Sequence, residues 1–184
     1  MRIIGGCLKG RQLFSVKGMQ TRPTADRLRE TIFNILSFRV QDTIVLDLFA
    51  GTGALGIEAL SRGAREAVFI DYDRKVIDVI RRNIELLKLT SETKIIKWNI
   101  LRNLNCIRNR RPAFNLVFMD PPYTKNLVNP TLFNLHGGNC LKDGALIVIE
   151  HTPADKIVQP LDAYTIVDHR LYGKSLVSIL GYMV

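Results

Sequence analysis

Residues Ile44 to Gly56, Ile-Val-Leu-Asp-Leu-Phe-Ala-Gly-Thr-Gly-Ala-Leu-Gly, leave few folds open to this chain. An apolar, β-branched run passes through glycines into helix-forming residues, the pattern of a buried parallel strand turning sharply into a helix. Gly51 and Gly53 permit a tight turn and the close approach of a ligand to backbone amides. Asp47 falls near the strand's carboxyl end, where open α/β sheets bind their ligands. The turn is a candidate seat for a nucleotide-like cofactor, with Asp47, Phe49, Ala50, Gly51, Gly53 and Leu55 around it.

Gly51, Gly53 and Gly56 also match the G-x-G-x-x-G spacing of dinucleotide-binding folds, so the turn alone suits NAD as well as S-adenosylmethionine. Two features favour the second. A carboxylate at Asp47 gains nothing from a diphosphate but would attract a cationic amino-acid tail. Downstream, Asp120-Pro121-Pro122-Tyr123 belongs to amino-group methylation rather than hydride transfer.

From Ile44 onward, strand and helix patterns alternate, which predicts an α/β fold with a parallel, helix-covered sheet. Strands are expected at Ala67–Ile70, Lys94–Trp98, Leu116–Met119 and Ala145–Ile149, the last with Glu150 and His151 at its end. Helices are expected over Leu55–Leu60 and around Val76, Ile80, Ile84 and Leu87. The pair Tyr164–Val167 and Leu176–Leu180, joined through Tyr172-Gly173-Lys174, suits an antiparallel hairpin closing the sheet edge. Residues 1–20 read as a small β-hairpin extension and 21–184 as the main domain. Within 21–184, Thr24 is a candidate N-cap, and Leu28, Ile32, Ile35 and Leu36 make a helical core-facing stripe.

A net charge of +9 points to an anionic partner, and its distribution sharpens the point. Residues 1–39 hold eight basic residues against two acidic ones, +6 of that total. Arg2, Lys9, Arg11, Arg22, Arg27 and Arg29 are therefore the candidate RNA-binding residues, the helical arginines lying off the apolar stripe. A second basic group, Arg102, Arg108, Arg110 and Arg111, precedes the tetrad. Three cysteines without paired metal-ligand spacing suggest a reduced, cytoplasmic protein with no metal, and no apolar run suggests a membrane span or signal peptide.

In a parallel sheet the strand ends share one edge, so their residues form one site. Asp71 follows Gly51 by 20 residues, near the interval at which an acid meets a ribose diol. Tyr72 follows it, and Asn99 with Ile100 would flank the adenine. At the fourth strand end, the Asp120 carboxylate and the Pro121 carbonyl can each accept one hydrogen of an exocyclic amine. Its lone pair is then free to face a methyl donor. Pro122 stiffens the turn and Tyr123 offers a stacking face for an unpaired or flipped base.

These residues resemble the RsmD type of bacterial rRNA methyltransferase. The likeness runs through Arg2-Ile3-Ile4-Gly5-Gly6, Gly10-Arg11, Thr21-Arg22-Pro23-Thr24, Asp26-Arg27, Arg29-Glu30 and Phe33-Asn34. It continues through Leu46-Asp47, Gly51 to Gly56, Glu58 to Gly63 and the tetrad. The resemblance implies a Rossmann-like class I fold with a seven-stranded, mostly parallel sheet, using S-adenosylmethionine. It also implies methylation of N2 of one guanine in 16S rRNA, in a partly assembled small ribosomal subunit, by a monomer. Asp120, Pro121 and Tyr123 would then engage the amine, and Asp47, Gly51, Asp71 and Asn99 the cofactor. Asp71 departs from the glutamate that relatives often carry. Three other readings stay open: an adenine-N6 methyltransferase on DNA or RNA, an NAD-dependent oxidoreductase, and a non-catalytic RNA-binding factor.

Overall fold

The computed structural model describes residues 1–16, 23–122, 126–157 and 162–183, without the side chains of residues 23–25. A seven-stranded sheet organises the chain. Its strands are β1 (Ile44–Leu48), β2 (Glu66–Asp71), β3 (Thr93–Lys97), β4 (Phe114–Met119), β5 (Leu141–His151), β6 (Tyr164–Tyr172) and β7 (Ser175–Tyr182). They lie in the order β3-β2-β1-β4-β5-β7-β6. The first five are mutually parallel, and β7 is antiparallel to both β5 and β6.

Helices α1 (Pro23–Leu36), α2 (Ala54–Ser61) and α3 (Arg74–Leu87) pack on one face. Helix α4 (Val128–Gly137) and the segment around Ile100, Leu104 and Ile107 cover the other. β1 is buried along its whole length because it is covered on both faces. Strand order reverses on either side of β1, so a crevice opens between the carboxyl ends of β1 and β4, where such sheets hold ligands.

The turn after β1 needs its glycines at two places for separate reasons. Gly53 caps α2 at φ +78°, the left-handed region. A Cβ on Gly56 would stand 2.4 Å from Cε1 of buried Phe69, so α2 lies on β2 at a distance only glycine permits. Helix α3 begins where the Asp73 carboxylate accepts the Lys75 N–H at 2.8 Å. Its residues Val76, Ile80, Ile84 and Leu87 face the core as their spacing predicts.

Residues 1–16 fold back on themselves through the Arg2–Gln12 bridge, and Ile3 and Leu13 are buried in the core. The segment is tied to α2 by Glu58, whose carboxylate accepts the N–H groups of Ile4 (2.8 Å) and Gly5 (2.7 Å). Asn83 of α3 accepts the Phe14 N–H at 2.7 Å and donates to the carbonyls of Phe14 and Thr52. The structure adds one helix that the residue pattern did not reveal, α4, and extends several strands by one to five residues at one end or both.

Candidate active site

The crevice at the β1/β4 switch point is a cavity of about 750 Å³. One end is lined by Asp47, Phe49, Ala50, Gly51, Leu55, Asp71, Tyr72, Asn99 and Ile100, all expected there from the sequence. Asp120, Pro121 and Pro122 line the same cavity. Gly53 shapes the turn but does not line it, and Tyr123 lies outside the described residues. Further wall residues come from segments the sequence reading had not connected to the site: Met1, Leu28, Arg29, Ile32, Leu127 and Glu150. α1 and the chain's beginning thus form one side of the crevice.

The acids at the cofactor end are held by backbone donors. Asp47 is almost wholly buried, and its Oδ2 accepts the Gly56 N–H at 2.9 Å, so it braces the turn from beneath. Burial, opposed by that hydrogen bond and helped by the charges of Asp120 and Asp71, pushes the Asp47 carboxyl well above the ordinary range. Asp71 accepts the Gly51 N–H at 3.1 Å through Oδ2 and the Asp73 N–H at 3.0 Å through Oδ1. The Gly51 amide therefore points at Asp71. Each oxygen of that carboxylate keeps a further lone pair for a hydroxyl in the cavity. Asn99 Oδ1 accepts the Leu101 N–H at 3.1 Å, fixing the turn after β3.

Asp120 lines the same cavity and is itself solvent-exposed at its mouth. Burial first, and then the nearby Glu150 charge, raise its pKa to about 8. Asp120 therefore holds its proton to a higher pH than an ordinary carboxyl. The sign follows for stability. Its contribution is fully present below the ordinary value of 3.8 and is lost as pH rises through about 8. Over that range the unfolded chain ionises while the folded one resists.

The basic residues divide into two groups. Arg2, Lys9, Arg11 and Arg27 are exposed, as are Arg102, Arg108 and Arg111. Arg22 lies outside the described residues. Arg29 was expected to meet phosphate and does not: it is 5% exposed, at the centre of an internal ion cluster. Its guanidinium pairs with Asp26 at 3.1 Å and Glu58 at 3.6 Å, and donates to the Arg2 carbonyl. Arg62 pairs with the same Glu58 at 2.8 Å. Desolvation lowers the pKa of Arg29 despite these acids. Arg110 of the second basic group is likewise engaged, pairing with Glu66 and lying over the Phe114 ring.

Fold and crevice together define a Rossmann-like methyltransferase: a 3-2-1-4-5-7-6 sheet with the Asp-Pro-Pro segment lining the same cavity as the glycine turn. The chain belongs to the family described as Conserved hypothetical protein 95, whose model matches residues 1–181, and within it to the RsmD type. It is 37% identical over 174 residues to Ribosomal RNA small subunit methyltransferase D of Haemophilus influenzae, covering 94% of this chain and 89% of that protein. The protein of the same name from Escherichia coli is 39% identical over 150 residues, covering 82% and 74%. The solved structure of yhhF from Escherichia coli superposes with a TM-score of 0.85 at 32% identity, covering 100% of this chain and 98% of that one.

Proposed function

We propose that this protein uses S-adenosylmethionine to methylate the exocyclic N2 amine of a guanine in 16S rRNA, presented by a partly assembled small ribosomal subunit in the cytoplasm. The observation that supports this reading is that Asp120, Pro121 and Pro122 line the same cavity as Asp47, Gly51 and Asp71. Relatives bearing the name of a small-subunit rRNA methyltransferase support the RNA class, and the RsmD resemblance supports guanine.

The cavity suits the cofactor in size and donor set. Asp71 would take the ribose diol, Ile100 and Tyr72 would cover the adenine, and the acids Asp47 and Asp120 would favour a cation. Bound there, S-adenosylmethionine supplies an electrophilic methyl group on a positively charged sulfur. The chain's own part is to position the nucleophile. Asp120 and the Pro121 carbonyl accept the two amine hydrogens and aim the nitrogen lone pair along the cavity. Leu28, Ile32 and Leu127 supply apolar walls that exclude water. Tyr123 would stack on the base.

Because the Asp120 carboxyl is pushed up to about 8, binding a sulfonium beside it should release protons near neutral pH, and the release should fade as pH rises past that value. Titration calorimetry in buffers of different ionisation heat measures this. S-adenosylhomocysteine carries the same amino-acid tail without the charge and should release fewer. Equal proton release for both ligands would contradict the assignment.

Arg11 and Arg27 are exposed, which supports a role in contacting phosphate. RNA affinity should therefore fall steeply with salt, and Arg11→Ala or Arg27→Ala should each flatten the log–log slope by roughly one unit. Arg29→Ala should instead lower stability, as befits an internal cation. Slopes unchanged in the first two variants would remove them from the RNA surface.

The function itself is tested by incubating the protein with methyl-labelled S-adenosylmethionine and unmodified small-subunit particles, then digesting the RNA to nucleosides. Label in N2-methylguanosine is expected. Label in N6-methyladenosine would support the second reading, for which the same tetrad could serve, and no label would overturn both.

A further inference from the structure

We propose that Glu150 selects the target base by accepting the N1–H of guanine, beside the amine held by Asp120. The inference rests on the guanine reading above and adds the residue that would enforce it. β4 and β5 run parallel in register, with Phe118 opposite Val148 and Met119 opposite Ile149, the last residues paired. One step further, Asp120 stands opposite Glu150. Side chains alternate along a strand, so both acids project on the same face as Phe118 and Val148, the face that α1 covers. Both line the cavity, and the Glu150 charge is felt at Asp120.

The Watson–Crick edge of guanine carries two adjacent donors, N1–H and the N2 amine. Adenine carries its amine beside N1, a lone-pair acceptor. Two carboxyl groups side by side match the donor–donor edge. The same pair turns an acceptor oxygen toward the adenine N1 lone pair. Walls such as Leu28 and Leu127 keep water from relieving that mismatch. A site built to hydrogen-bond a group in this way rejects an analogue lacking it far more strongly than an apolar pocket does. Fold and glycine turn leave the choice of base open; this pair of strand ends would make it.

The test uses particles reconstituted from ligated RNA with either guanine or 2-aminopurine at the methylated position. 2-Aminopurine keeps the amine but presents an acceptor at N1. The wild type should prefer guanine by at least roughly 100-fold in kcat/KM. In Glu150→Gln the side-chain amide can donate to N1, and the preference should shrink to under about tenfold. The urea denaturation midpoint of the variant should match that of the wild type, showing that the fold is intact. An unchanged preference in that variant, with guanine still methylated at N2 by the wild type, overturns the inference and leaves the proposed function standing. Should the variant fail to fold, a wild-type preference below about tenfold overturns it equally. Absence of N2 methylation by the wild type overturns both.

Discussion

Asp120→Ala should cut methyl transfer by roughly 10²–10³-fold in kcat/KM while S-adenosylmethionine still binds. The carboxyl lines the same cavity as the glycine turn, and in the proposed function it holds the amine. Losing it removes an acceptor that orients the nucleophile, without touching the donors that surround Asp71. Stability gives a second readout of opposite sign. Burial and Glu150 make the charged form of Asp120 unfavourable in the unliganded protein. The alanine variant should therefore be at least as resistant to urea as the wild type above pH 8. Loss of activity with unimpaired stability is the pattern of a residue kept for chemistry. A variant of full activity would refute the role.

Glu58→Ala should destabilise the protein by about 3–5 kcal/mol. The carboxylate is fully buried, accepts from the Ile4 and Gly5 backbone and Arg62 Nε, and forms an ion pair with the neighbouring Arg29. Removing it takes one of two carboxylate partners from the buried Arg29 and leaves two backbone N–H groups without their acceptor. Because Arg29 lines the cavity as well, the loss should spread to the wall that α1 provides. Urea denaturation measures the difference, and Glu58→Gln should recover part of it by restoring an acceptor for the backbone. A loss below about 1 kcal/mol in Glu58→Ala would mean that the N-terminal segment is held by its apolar residues alone.

The strand–turn–helix around Gly51 and the acids at strand ends were legible because local rules determine them. Alternation predicts which edge a residue reaches, and glycine spacing predicts the turn. Arg29 was misread because a cation in a helix was set aside from the apolar stripe. Yet Arg29, Ile32, Phe33 and Leu36 themselves follow the i, i+3, i+4, i+7 spacing of one buried face. What makes the burial tolerable is Glu58, on a different helix, together with Asp26 one turn earlier, and only the second of these partners is visible in a local pattern. Glu150 was visible at the end of the fifth strand, and the rule applied to Asp47, Asp71 and Asp120 applies to it equally. Helix α4 was hidden by Asn129-Pro130, which reads as a turn. In the structure Pro130 falls in the first helical turn, where its missing N–H costs no intrahelical bond. The beginning of β5 was masked by Lys142-Asp143-Gly144, and the pairing of β4 with β5 shifts register there.

The central claim is that one cavity holds the methyl donor and the guanine amine against each other. A conjugate of adenosine, joined from its 5′ carbon through a short linker to N2 of guanine, tests it most directly. The account predicts that this conjugate binds at least roughly tenfold tighter than the adenosine half alone, because the second contact becomes intramolecular. It should also lose that gain in Asp120→Ala. A conjugate that binds no better than adenosine would contradict the shared cavity.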